Sequence, residues 1–287
     1  MPAKDIYHDT VKRALIKDGW TIMALVLMLF VGLLSFACQN QTISNSTNQT
    51  NSTNSNASTQ PTSQITAPQT VKFTSAEKVE IVGTFYESPK ANSPAVLLLH
   101  QWGSDRHSYE MLAKRLQAKG FGVLAIDGRG FGDSNKATDG KTVAPARTDE
   151  AVKAMKADVD NAFQFLAKQK NVDANRVGIV GASYGSSLAI IYSAENPKVK
   201  AVALLSPGLN YFGNMPTESA VKNYSDRPLL LVAAEDDKES AETVKKLKEV
   251  DAKSETQIYE KGGHGTGLFA AKVGLEDLLE QFLMKSL

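Results

Sequence analysis

Cysteine is all but missing: Cys38 is the only one in 287 residues, which excludes an internal disulfide framework and any metal site built on several thiolates. An excess of one charge is missing too. The 32 Lys and Arg balance 31 Asp and Glu to a formal net charge of +1, so no electrostatic footprint points to nucleic acid or to an acidic partner surface. Histidine is scarce, with His8, His100, His107 and His264 supplying all the imidazole in the chain. No pattern calls for a cofactor or a metal, and neither is expected.

Charge is also absent from Gly19 to Val71. That void holds two different segments. The first, Trp20 to Ala37 (WTIMALVLMLFVGLLSFA), is wholly uncharged and, at about 1.5 Å rise per residue, nearly spans a hydrocarbon core of about 30 Å. It reads as a membrane or export segment. Lys12, Arg13 and Lys17 precede it and no charge follows until Lys72, so the positive-inside bias keeps the N-terminus cytoplasmic and sends the rest across. The small residues Ser35 and Ala37 suit an ordinary signal-peptidase site, while Cys38 directly after Ala37 resembles a lipoprotein lipobox with Ser35 and Phe36 where leucine and a small residue are usual. Acylation of Cys38, simple cleavage and an uncleaved anchor all remain open. The protein is accordingly expected outside the cytoplasm, membrane-anchored or as a lipoprotein, and secreted if cleavage occurs without acylation.

The second segment, Gln39 to about Gln69, is mostly Asn, Ser, Thr and Gln with no aromatic residue. It cannot bury a core and is expected to be disordered, with an r.m.s. reach of roughly 30 Å as a tether. Its Asn-X-Ser/Thr triplets, beginning at Asn40, Asn45, Asn48, Asn51 and Asn56, follow from composition alone. The chain therefore divides into a cytoplasmic leader (1–19), a membrane or signal segment (20–37), a linker (38–70) and a globular domain (71–287). The leader, MPAKDIYHDTVKRALIKDGWT, resembles the opening of the XisH-type excision-controlling factors. About twenty residues cannot form that family's fold, so the stretch reads as a recombined or misassigned leader. No nuclease function is inferred, and His8 carries none.

About 215 residues remain, enough for one domain with a substantial core. After an antiparallel pair at Val71 to Thr74 and Val79 to Glu87, short apolar runs alternate with amphipathic stretches, the pattern of a mostly parallel sheet with helices on both faces. The runs are Ala95 to His100, Gly122 to Asp127, Val177 to Val180, Val199 to Leu205, Leu229 to Ala234 and Thr256 to Tyr259; helical spacing marks Ser108 to Lys119, Ala151 to Gln169, Ser186 to Ala194, Ser240 to Val250 and Leu268 to Leu287. About eight strands make a doubly wound α/β domain.

The segment VGIVGASYG, Val177 to Gly185, is a Gly-x-Ser-x-Gly motif at a strand–turn–helix junction, where two glycines let the backbones approach and Ser183 project above the sheet. A serine hydroxyl needs a base, itself oriented by an acid. His264, in the loop EKGGHG after the last strand, is the candidate base. His107 lies on the first helix of the domain as a surface residue, and His100 buttresses the loop after its strand. For the acid, the strand Leu229 to Ala234 runs into Glu235, Asp236 and Asp237 at the carboxyl edge of the sheet, where open α/β folds bind ligands. The oxyanion donors expected of this motif are the backbone N–H of Tyr184 and an N–H of the loop after His100, at Trp102. Arg129 and Asp133 read as structural.

These motifs together, LLLH-Gln101-Trp102-Gly103, the turn DGRGFGDS from Asp127 to Ser134, GASYG and GGHG, resemble the α/β-hydrolase superfamily, and within it the serine-bearing relatives of the dienelactone hydrolases. The resemblance covers Val71 to Leu287 and implies a Ser-Asp-His triad of Ser183, Asp237 and His264. Families with this fold carry Gly-x-x-Asp at the acid turn; aligning Ala234 with that glycine selects Asp237, the preferred choice, whereas Ala233 selects Asp236, and the carboxylate left over reads as a solvated turn residue. Two departures stand out. Dienelactone hydrolases carry cysteine where Ser183 stands, and the usual His-Gly of the oxyanion loop is His100-Gln101 here.

The implied chemistry is hydrolysis of a small or medium carboxylic ester, lactone or thioester through an acyl-enzyme. A serine peptidase of the prolyl or aminopeptidase type and an inactive tethered binding domain are the alternatives. The insertion from Ser206 to Asp226 is the only candidate cap and is short, with Tyr211, Phe212 and Met215 as candidate linings of an apolar acyl pocket. The expected partners are a small-molecule ester and the membrane, with no nucleic acid.

Overall fold

The computed structural model describes residues 65–287, Ala76 excepted. The expectations for the leader, the apolar segment, Cys38 and most of the linker lie outside the described residues. Among the described residues no helix is long and apolar enough to cross a membrane.

Strands β1 (Gln69–Thr74), β2 (Glu80–Tyr86), β3 (Ser93–Leu99), β4 (Gly122–Ile126), β5 (Val172–Ala182), β6 (Val199–Leu205), β9 (Leu229–Ala234) and β10 (Glu255–Tyr259) form one eight-stranded sheet, with β7 (Asn210–Tyr211) and β8 (Met215–Pro216) as a separate small hairpin. The strand order is β1-β2-β4-β3-β5-β6-β9-β10. Pairing is antiparallel at β1–β2 and β2–β4 and parallel from β4 to β10. β1 starts at Gln69, opposite Phe85, and the Gln117 amide donates to the Thr66 carbonyl at 3.0 Å. Ordered sheet thus reaches two residues into the stretch read as linker, because backbone pairing with β2 needs no apolar side chains there.

Among the described residues seven helices accompany the strands: α1 (Glu110–Ala118), α2 (Asp149–Ala167), α3 (Tyr184–Glu195), α4 (Thr217–Tyr224), α5 (Lys238–Val250), α6 (Gly267–Ala270) and α7 (Leu275–Ser286), with a 3-10 turn at Arg106–Tyr109 ahead of α1. Alternate residues of the central strands face opposite layers. Leu97, Ile179 and Leu204 pack toward α2, α3 and α5, whereas Leu98, Val180 and Ala203 pack toward α1 and α7. Each fully buried leucine of these strands contributes about 1.5–3 kcal/mol of hydrophobic transfer. α2 begins where Thr148 accepts the Ala151 N–H at 3.2 Å, with Asp149 and Glu150 in its first turn, both favourable at a helix N-terminus.

The helical spacing read from Leu268 to Leu287 is two helices in the structure. Lys272 (φ 53°) and Gly274 (φ 83°) adopt left-handed backbone, which an α-helix cannot pass through, and α7 restarts with Glu276 and Asp277 in its first turn. The insertion from Ser206 to Asp226 holds the β7–β8 hairpin and α4.

The chain leaves β3 for β4 on one side, then crosses to β5 on the other. The strand order reverses around β3, and the carboxyl ends of β3 and β5 open a crevice there. The loops after β3, β5, β6, β9 and β10 converge on it.

Candidate active site

The turn between β5 and α3 is built on close approach. A Cβ on Gly181 would lie 2.2 Å from the Gly185 carbonyl oxygen, and one on Gly185 would lie 2.6 Å from the carbonyl oxygens of Leu99 and His100. Only glycine fits at either place. Between them Ser183 is held at φ 54°, ψ −125°, a backbone that costs a non-glycine residue of order 1–3 kcal/mol and persists because its surroundings enforce it. The Ser183 N–H donates to the Leu205 carbonyl at 2.8 Å, and the Ser186 hydroxyl donates to the Ser183 carbonyl at 2.5 Å.

Three side chains from three loops meet above this turn. His264 Nε2 lies 2.8 Å from Ser183 Oγ, and its Nδ1 lies 2.7 Å from Asp237 Oδ2. Of the two alternatives for the acid, Asp237 is the one on the imidazole. Asp236 is not the idle turn residue expected. Its carboxylate accepts the Gly262 N–H at 3.1 Å and the Gly263 N–H at 3.0 Å, and these two donors hold its carboxyl below the usual carboxylate range.

His100 is buried at the end of β3. Its Nδ1 sits 2.7 Å from the Gln101 carbonyl, and its Nε2 accepts the Gly128 N–H at 2.8 Å. This fixes a neutral imidazole with the proton on Nδ1. Burial pushes its pKa down, against the smaller opposing pull of the Gln101 carbonyl and of Asp127. His107 is exposed and takes no part. Among the described residues no backbone carbonyl accepts the N–H of Trp102 or of Tyr184, and the Tyr184 side chain is buried against His100, Trp102 and Phe131.

Trp102 and Phe212 pack edge to face at 4.9 Å, with the Arg147 guanidinium 4.6 Å above the first ring and 4.8 Å above the second. Arg147 has no carboxylate within ion-pair distance among the described residues. Tyr211 reaches back to donate to the Ser206 carbonyl at 3.0 Å, and burial raises its phenol. Met215 lines no pocket: it is fully buried in the main core, since the β7–β8 hairpin turns it inward. The two residues read as structural behave so. Arg129 makes a two-pronged pair with Asp158, at 2.7 and 2.8 Å, and Asp133 accepts from Arg106 at 2.7 Å while Arg106 also binds the buried Asp127.

No motif marks Ser206, and Gln101 stands out in the sequence only as a departure from the usual His-Gly. Both bond the loop carrying His264. No group of three or more His, Cys, Asp or Glu among the described residues is arranged to hold a metal ion.

An eight-stranded, mostly parallel sheet with this sharp serine turn at its switch point is an α/β-hydrolase fold. The dienelactone hydrolase family model matches residues 81–273, and the chain belongs to that family. A second model, XisH protein, matches residues 1–39. An uncharacterised protein of Mycobacterium tuberculosis is 30% identical over 123 residues, which are 43% of this chain and 39% of that protein, so the match spans about two fifths of this relative. A dienelactone hydrolase from Anabaena variabilis superposes with a TM-score of 0.58 at 20% identity, over 77% of this chain and 99% of the other. An esterase from Pyrococcus furiosus gives 0.60 at 18%, over 77% and 91%. At these identities the likeness is one of fold.

Proposed function

We propose that the chain is a serine hydrolase that cleaves a small or medium carboxylic ester, lactone or thioester through an acyl-enzyme. One observation carries the reading: the unbroken run of hydrogen bonds from Ser183 Oγ to His264 Nε2 at 2.8 Å and from His264 Nδ1 to Asp237 Oδ2 at 2.7 Å, at the crevice where the strand order reverses. In this reading His264 takes the Ser183 proton as Oγ attacks the carbonyl carbon, then returns it to the leaving alkoxide or thiolate. A water next gives its proton to His264 as its oxygen attacks the acyl carbon, and that proton returns to Ser183 as the acid departs. Asp237 holds the proton of the resting imidazole on Nδ1. The N–H groups of Tyr184 and Trp102 receive the oxyanion. Trp102, Phe212 and Tyr211 wall one side of the site, and the described residues hold no large lid over it, which suits small or medium substrates better than folded peptides.

A fluorophosphonate should label the chain on the peptide containing Gly181 to Gly185. Ser183→Ala, His264→Ala and the double variant should fall to a similar residual rate, since the members act as a unit. Full esterase activity in folded Ser183→Ala would overturn the assignment.

We also propose that the hydrolase domain works outside the cytoplasm, on the strength of the uncharged stretch from Trp20 to Ala37 and the Lys12, Arg13 and Lys17 ahead of it. A reporter fused after Leu287 that matures only outside the cytoplasm should be active; activity of one that works only inside would end that proposal.

A further inference from the structure

The loop carrying His264 is short, glycine-rich and partly exposed, yet four of its backbone N–H groups are met by side-chain oxygens from three different strand ends. Gly262 and Gly263 donate to Asp236 after β9. Gly265 donates to Ser206 Oγ after β6 at 2.8 Å. Thr266 donates to Gln101 Oε1 after β3 at 2.7 Å, and its hydroxyl donates to the same oxygen at 3.1 Å.

The last of these contacts differs in kind. Gln101 immediately precedes Trp102, whose N–H is one of the two oxyanion donors proposed above. Its own carbonyl is held by His100 Nδ1 at 2.7 Å and by the Ser104 N–H at 3.1 Å. The residue is thus clamped to the oxyanion loop through its backbone and to the base loop through its side chain. Its Oε1 also lies where a Cβ on Gly265 would fall, 2.1 Å away, so the amide rests directly against the backbone beside His264. Gln101 Nε2 donates to no group among the described residues. The side chain acts here purely as an acceptor.

We propose that Gln101 is a positioning residue that locks the base loop to the oxyanion loop, so that His264 Nε2 and the Trp102 N–H keep a fixed separation over Ser183. The proposal rests on reading Ser183 and His264 as nucleophile and base. Losing the acceptor leaves the Thr266 N–H and hydroxyl without their partner and lets the loop drift. A drift of about 1 Å in a catalytic group costs roughly a hundredfold in rate. The loss should appear in kcat, since the proposed role is to orient the base and the oxyanion loop and not to bind substrate.

The experiment compares wild type, Gln101→Ala and Gln101→Glu in the full chain, by ester turnover across pH and by amide hydrogen exchange of the peptide spanning Gly262 to Thr266. Gln101→Ala should lower kcat by roughly ten- to a hundredfold at little change in KM and speed exchange in that peptide. Gln101→Glu keeps the acceptor and should recover most of the alkaline plateau rate. Its negative charge beside His264 favours imidazolium, so its acid limb should move to higher pH. Unchanged turnover and exchange in Gln101→Ala would overturn the proposal, as would a Gln101→Glu variant as impaired as Gln101→Ala at every pH. A wild-type chain inert to fluorophosphonate and to esters would instead defeat the hydrolase reading, and the exchange comparison would still decide whether Gln101 ties the loop down.

Discussion

Asp236 and Asp237 are neighbours with the same carboxylate and opposite assignments. Asp237 meets His264 Nδ1, while Asp236 meets two backbone N–H groups of the loop that carries the ring. In the proposed mechanism, Asp237→Asn reverses the preferred tautomer and should cost on the order of 10⁴ in turnover. Asp236→Asn retains a carbonyl oxygen for the loop amides and should cost far less. Steady-state rates of the two variants check the ranking, and the reverse order would exchange the roles. The sequence could say that one of these residues faces the histidine, because the strand ending at Ala234 delivers both to the carboxyl edge. It could not say which, since the choice turns on a register of one residue in a turn. Ser206 was illegible for a related reason: nothing in a serine after a buried strand reveals that its hydroxyl will meet Gly265 across the site.

At the scale of elements, the central strands were readable because burial on both faces makes them continuous apolar runs, as in Val199–Leu205 and Leu229–Ala234. The break between α6 and α7 was not, because apolar residues at helical spacing run through it and only Gly274 marks it. The join between β3 and β4 has a thermodynamic signature. His100 links the end of β3 to Gly128 after β4 only while its Nε2 is unprotonated, and burial lowers its pKa below the ordinary 6.5. The unfolded chain therefore binds a proton at higher pH than the folded one. The stability tied to His100 is fully present above about pH 6.5 and is lost as pH falls from there toward the depressed folded value. Thermal unfolding measured from pH 8 to pH 5 should show this slope, and His100→Asn, which cannot titrate, should flatten it over that range. An equal slope in the variant would place the titrating group elsewhere.

For the whole molecule, the doubly wound class and the order of serine, acid and histidine along the chain are legible in the sequence, because both follow from where short apolar strands end. The strand permutation around β3 is not, since sequence order is silent about which strands become neighbours. That permutation brings Gln101, Ser183, Ser206, Asp237 and His264 into one crevice from positions spread over more than half of the chain. It also has an optical consequence. Only two tryptophans exist, Trp20 and Trp102, and Trp102 packs against Phe212, the Arg147 guanidinium and Tyr184, the residue after the proposed nucleophile. Every photon emitted by an indole of the hydrolase domain therefore comes from the wall of its own site. Phosphonylation of Ser183 should change that emission with the same rate constant as covalent labelling, and Ser183→Ala should show neither. Labelling without any spectral change would mean that the aromatic wall stands apart from the reacting group.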